Sequence, residues 1–137
     1  MFILDTNVIS ELRAGKPKQS AQVRRWAAMQ PAEGLYLSAI SILELDLGVQ
    51  ALEHLTPPQG SALRSWLSAI RKGFAGRVLA FSEETAVICA SLHIPDPRSE
   101  RDAMIAATAI QHRFTVVTRN TADFEATGVA LLNPWLP

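Results

Sequence analysis

Four carboxylates stand beside short apolar segments at widely separated places in the chain: Asp5, Glu44, Asp102 and Asp123. Asp5 directly follows an apolar run, and Glu44 lies in the first turns of the helix predicted after the second run. Asp102 begins a predicted helix that runs back toward a strand, and Asp123 follows that strand. Ligands of open parallel sheets bind outside the carboxyl ends of the strands. The pattern therefore predicts one acidic site at that edge.

Clustered carboxylates resist ionisation unless a cation lies among them. Oxygen ligands without accompanying His or Cys favour Mg²⁺ or Mn²⁺ over zinc, and such a site suits metal-assisted hydrolysis of phosphodiesters. Each acid also has a simpler interpretation. Asp5 suits a helix cap, Asp102 a first-turn acid and Asp123 a turn, while Glu44 suits an exposed helix face.

The elements that must position these acids alternate along the chain. We predict strands at 1–4, 35–37, 78–81, 114–118 and 130–132. We predict helices up to residue 12, at 19–29, 39–52, 61–74 and 99–112, and one that follows a cap at Ser82. The prolines at 57–58 predict a break, and 119–123 a polar loop. This alternation predicts a three-layer α/β fold, with one domain over 1–137 and a parallel sheet of four to five strands.

Composition excludes several classes of protein. The chain has 137 residues, 48% of them hydrophobic, and 13 basic residues balance 13 acidic ones. A disordered charged tail and a strongly basic nucleic-acid coat are therefore excluded. Cys89 is the only cysteine, so no internal disulfide forms, and we expect a buried packing thiol. We see no secretory signal and no apolar stretch of about 18 residues, so we expect a cytoplasmic protein without a membrane span.

Four segments carry a family resemblance. Residues 5–12, DTNVISEL, resemble the opening motif of PIN-domain ribonucleases, and most closely that of VapC-type toxins, including the FitB-like branch. Segments 41–45, 102–109 and 118–124 resemble the second, third and fourth motifs in order, and 133–135 is similar to the end of that branch. One departure is Arg101, which stands where the family often has a small residue beside the third-motif Asp.

The resemblance implies a PIN fold and Mg²⁺- or Mn²⁺-dependent cleavage of RNA that leaves 3′-hydroxyl and 5′-phosphate ends. It implies that the four acids are the catalytic and metal-binding residues. It also implies four side chains that orient carboxylates, water or phosphate: Thr6, Asn7, Thr118 and Asn120. The implied role is the toxin of a toxin–antitoxin pair, with RNA as substrate, a cognate antitoxin protein as partner and a homodimer as assembly.

A basic segment follows the first motif without an acidic residue, and it contains Arg13, Lys16, Lys18, Arg24 and Arg25. We hypothesise that part of it, with Arg13, Arg24 and Arg25, contacts RNA phosphates; a solvated face is the simpler interpretation. Arg101 either contacts substrate phosphate or points to solvent. Trp26 and Trp66 pack in the core or form a groove for an antitoxin helix.

Two other functions fit parts of the pattern. In a phosphotransfer domain Asp5 would be a nucleophile that forms a phosphoaspartate, although Asn7 stands where that chemistry usually has a second acid. A non-catalytic module would use the same surface to bind RNA or protein. The three histidines, His54, His93 and His112, lie away from the predicted edge and are not expected to act as bases.

Overall fold

Short runs of Ile, Leu and Val form a parallel sheet. The computed structural model describes all residues, 1–137. Its strands are β1 Phe2–Leu4, β2 Leu35–Ser38, β3 Val78–Leu79, β4 Thr115–Val117 and β5 Leu131–Leu132. Their spatial order is β3-β2-β1-β4-β5, and every neighbouring pair is parallel. The predicted α/β class and parallel five-stranded sheet are confirmed.

Helices connect the strands. They are α1 Thr6–Glu11, α2 Ala21–Ala28, α3 Ala39–Leu55, α4 Pro57–Gly73, α5 Glu83–Leu92, α6 Glu100–His112 and α7 Thr121–Phe124. Short 3₁₀ turns cover Ala32–Gly34 and Glu125–Thr127. Asp5, Ser20, Ser38 and Ser82 begin four of the helices, because each side chain accepts a hydrogen bond from a backbone N–H of the first turn. No helix combines the length and apolar character needed to cross a bilayer.

Successive strand residues point to opposite faces of the sheet and supply two separate cores. Leu4 and Val117 pack on one face, with Val8 and Leu67 from the helices. Ile3 and Val116 pack on the other, where Ile105 and Phe124 belong to the same cluster. The predicted three-layer arrangement is therefore confirmed. Cys89 is buried against Ala103 and Ala107, as expected for a packing thiol.

The predicted break between the third and fourth helices is present, but it is confined to Thr56, and the predicted ends of the two helices were wrong. The helix α3 continues to Leu55, and α4 begins at Pro57 rather than at residue 61. Proline is tolerated in the first turn, where its missing N–H has no helical partner. Glycine at position 60 allows α3 and α4 to approach each other closely at their junction. A Cβ there would lie 2.4 Å from the backbone nitrogen of Glu53.

Three smaller differences concern the ends of elements. Asp123 lies in the short helix α7 rather than in a polar loop. The helix α2 begins at Ala21, because Ser20 caps it, and not at residue 19. β3 contains only Val78–Leu79, while Phe81 beyond it packs against the core. None of these differences changes the order of the layers.

Candidate active site

Asp5 occupies the junction between the central strand and the first helix. It follows β1 directly and caps α1, and its backbone N–H donates to the carbonyl of Val117 on β4 at 2.9 Å. The residue is 5% exposed. The extra bond to the neighbouring strand fixes the carboxylate at the carboxyl edge of the sheet, where the sequence pattern predicts it.

Three donors hold the Asp5 carboxylate. One oxygen accepts from the N–H of Thr6 at 2.8 Å, and the other accepts from Thr118 Oγ1 at 2.7 Å and Asn7 Nδ2 at 3.2 Å. Thr118 is fully buried and also accepts from the backbone N–H of Asn120 at 3.0 Å. The structure therefore brings Thr6, Asn7 and Thr118 into direct hydrogen bonds with Asp5. Asn120 is linked to Asp5 only indirectly, through its backbone bond to Thr118.

Glu44 lies beside Asp5 through a shared neighbour. Its Oε1 accepts a hydrogen bond from Thr6 Oγ1 at 2.8 Å, while the Thr6 N–H binds Asp5. Its Oε2 lies 3.7 Å from Arg101 Nη1, and the Arg101 side chain is half exposed. Asp46, two residues later, turns away and pairs with Arg64 of α4 at 2.9 Å. Only one of the two neighbouring acids on α3 therefore faces the site.

Asp102, in the first turn of α6, experiences the charges of the other three acids. Burial, together with the charges of Asp5, Asp123 and Glu44, raises its pKa to about 6. Burial also raises the pKa of Asp5, although its bonds from Thr118 and Thr6 oppose that effect. The four carboxylates thus share one electrostatic environment, although they come from four different elements.

The proposed RNA-contacting arginines divide into two groups. Arg13 lines a cavity together with Thr6 and Glu44, and Arg101 faces Glu44 directly. Arg24 and Arg25 are exposed on α2. Arg25 lines a different groove, with Trp26 and the C-terminal residues 132–134 and 136–137, in which none of the four acids takes part. The structure does not bring the α2 arginines to the candidate site.

Comparison with known proteins agrees with this geometry. The PIN domain family matches residues 2–129. The chain belongs to the PIN domain family. It is 38% identical to VapC ribonuclease Y4jK of Sinorhizobium fredii, over 100% of this chain and 99% of the relative. It is 41% identical to Toxin FitB of Neisseria gonorrhoeae, over 98% and 99% respectively. The crystal structure of FitAcB from Neisseria gonorrhoeae contains a chain of TM-score 0.90 and 40% identity, and the match covers 100% of both chains.

The donor set of this PIN domain suits a hard divalent cation. All four charged groups are carboxylates, and their mutual repulsion at Asp102 is what a bound cation would relieve. The structure does not contain the compact cage that four ligands would form, because no three Asp, Glu, His or Cys side chains form a group that could hold an ion. Mg²⁺ commonly binds only one or two carboxylates and keeps its waters, so the arrangement still fits that ion.

Sequence reasoning missed a buried ion pair in the same PIN domain. Glu11 is 4% exposed and lies 2.8 Å from the amine of Lys16. Lys16 therefore has an ion-pair partner that the composition of the basic segment does not indicate. Glu11 is the last residue of α1. Its position on the helix, one turn from buried Val8 and beside partly buried Leu12, is the signal that would have predicted its burial.

Proposed function

We propose that this PIN domain is a metal-dependent endoribonuclease and the toxin of a toxin–antitoxin pair. The observation that carries the proposal is the placement of Asp5 and Glu44 on the two donors of Thr6 at the carboxyl edge of the sheet, where the charges of Asp5, Asp123 and Glu44 also raise the pKa of Asp102. The names of its relatives, a VapC ribonuclease and a toxin, support the same function. The substrate class is RNA, and the reaction is hydrolysis of a phosphodiester bond.

In this proposal the four acids are both catalytic and metal-binding residues. When bound, Mg²⁺ or Mn²⁺ offsets the charge of the carboxylates and of the phosphodiester and activates water for attack on phosphorus. Thr118 and Asn7 fix the orientation of the Asp5 carboxylate, and Thr6 fixes that of Glu44. Such neighbouring groups typically change metal affinity or activity by about 10–100-fold when they are removed.

The experiment that tests this function is metal removal. We expect the purified chain to cleave single-stranded RNA in Mg²⁺ or Mn²⁺, EDTA to stop cleavage, and excess Mn²⁺ to restore it. The products should carry 3′-hydroxyl and 5′-phosphate ends. Cleavage that continues in EDTA, or that leaves 2′,3′-cyclic phosphates, would indicate a metal-independent reaction and contradict the proposal.

We propose that Arg101 contacts an RNA phosphate at the mouth of the acidic site. Its guanidinium lies 3.7 Å from Glu44 and is half exposed, so it places a positive charge where the acids would otherwise repel the backbone. Arg101→Ala should raise the KM for RNA about tenfold, the typical value of a hydrogen bond to a charged group. Arg101→Lys should restore part of the loss, and Arg71→Ala, near the end of α4 and outside the cavity that Thr6 and Glu44 line, serves as control. An unchanged KM in Arg101→Ala would refute the contact.

The geometry disfavours a phosphoaspartate intermediate. A nucleophilic Asp5 would need a free, accessible oxygen, yet the residue is 5% exposed and both of its oxygens accept hydrogen bonds. Bonds to both oxygens suit a fixed carboxylate better than an attacking one. A purely binding module would not require four charged acids held in a shared environment that raises the pKa of one of them.

The remaining partners follow from the relatives. The structural neighbours are toxin–antitoxin complexes, and we propose that this chain likewise binds a cognate antitoxin in the cytoplasm. We also propose a homodimer. Exposed Leu43 and Leu47, one turn apart on α3, offer an apolar surface for it. Sedimentation of the chain with and without its antitoxin tests both, and a monomer in each sample would contradict both.

A further inference from the structure

A groove leads away from the acidic site between α1, α3 and α4. Its first part is a cavity of about 320 Å³ whose lining includes Thr6 and Glu44 of the candidate site together with Arg13, Lys16 and Trp66. A second cavity of about 450 Å³ shares Arg13 and Trp66 with it. The groove therefore begins at two residues of the candidate site and continues over the surface of α4.

The cations in this groove are held in position. The Arg13 guanidinium lies over the Trp66 ring, 5.9 Å from its centroid, so the aromatic face supports it without neutralising it. The amine of Lys16 is anchored by buried Glu11 at 2.8 Å and keeps further donors free. Both residues present donors to the cavity at small cost in side-chain entropy.

The other wall is apolar and partly open. Leu45 and Leu63 line it, and Gly48 leaves it without a side chain. A Cβ built on Gly48 meets nothing within 4 Å. The cavity therefore combines apolar side chains, two cations and the hydroxyls of Thr6 and Ser10, which together match the base, phosphate and ribose of a nucleotide.

We propose that this groove binds one unpaired nucleotide of the RNA next to the scissile phosphate. The inference rests on the proposed ribonuclease function and assigns a substrate subsite to it. Arg13 and Lys16 bind the phosphate of that nucleotide, and the base lies against Leu63 beside Gly48. RNA suits the groove because the cations complement its backbone and because the occupant would contact Glu44, at the site of cleavage.

Gly48→Leu is the sharpest variant, because it fills the cavity without removing a contact and favours the helix. We expect it to raise the KM for RNA about tenfold, because the leucine side chain takes the space in which the base would be shielded from water, and to leave kcat unchanged. Arg13→Gln should also raise the KM. Gly73→Leu is the matched control, since this helical glycine also faces open space but lies outside the groove.

An abasic RNA distinguishes a base-binding subsite from a general loss of affinity for the RNA backbone. A single abasic nucleotide beside the cleaved bond should raise the KM of the wild-type protein about tenfold, because the apolar contact of the base is lost, and add nothing in Gly48→Leu.

If the wild-type protein cleaves RNA and both variants keep its KM, the subsite is refuted while the proposed function stands. If the variants weaken antitoxin binding alone, the groove binds protein and the inference is also refuted. Absence of wild-type cleavage would refute the proposed function itself.

Discussion

Asp102→Asn abolishes RNA cleavage and, in the absence of metal, makes the protein more stable. The substitution removes a carboxylate from the proposed metal site, and we expect a loss of about 10³-fold, corresponding to several kcal/mol of transition-state stabilisation. It also removes a charge that burial and the neighbouring acids disfavour. Gain of stability with loss of activity distinguishes a functional residue from one that maintains the fold.

The gain should depend on pH in a defined direction. The pKa of Asp102 is raised to about 6 in the folded chain from its ordinary value of 3.8, so the folded state binds a proton more tightly than the unfolded state. Ionised Asp102 therefore lowers stability as the pH rises from about 4 to about 6. In EDTA, Asp102→Asn should raise the Tm clearly at pH 7.5 and little at pH 4.

The control for Asp102→Asn is Asp96→Asn, which changes an exposed acid in the loop before α6. It should leave cleavage at the wild-type rate. A Tm for Asp102→Asn that is lower than wild type at pH 7.5 would show that the carboxylate stabilises the fold. In that case the loss of activity would carry no information about the site.

Gly60→Ala destabilises the protein at the corner between α3 and α4. Its added Cβ would lie 2.4 Å from Glu53 N and 2.5 Å from Glu53 Cα, and both atoms belong to the backbone of the facing helix. The two helices must therefore separate at their junction. We expect the free energy of unfolding to fall by about 1–3 kcal/mol or more, as for other overpacked positions, measured by denaturant unfolding.

The matched control for this corner is Gly73→Ala at the other end of α4. A Cβ there meets nothing within 4 Å, so alanine should raise stability by up to about 1 kcal/mol through its helix propensity. Equal effects of Ala at the two positions would refute the close approach at Gly60. Because α3 also carries Glu44, a displaced corner should reduce RNA cleavage in Gly60→Ala as well.

The edge of the sheet was predictable because its positions depend on strand order and chain direction alone. Asp5 follows a run of buried residues, and Thr118 follows another, so parallel pairing of β1 with β4 brings them together. Residue types predicted a helix cap at Asp5, Thr6 or Asn7, and the structure has it at Asp5. A prediction based on strand order stays correct even when the predicted ends of the elements are wrong by several residues, as at the start of α4.

Contacts between different helices were not predictable. The bond from Thr6 to Glu44 and the approach of Gly60 to Glu53 depend on how helices pack, which periodicity does not specify. Pro57 was misassigned because proline stops a helix in its interior but is favoured in its first turn. Whether a proline ends one helix or begins the next depends on how the neighbouring helix packs against it.

The most direct test of the acidic site is Mn²⁺ binding, followed by electron paramagnetic resonance in the wild-type protein and in Asp102→Asn at pH 7.5. Mn²⁺ is one of the two proposed ions, and its binding is observed without RNA or antitoxin. We expect the wild-type protein to bind Mn²⁺ with saturation, and the Asp102→Asn protein to bind it far more weakly while remaining folded. Equal binding by the two proteins, or no binding by either, would contradict the assignment of the four carboxylates to a metal site.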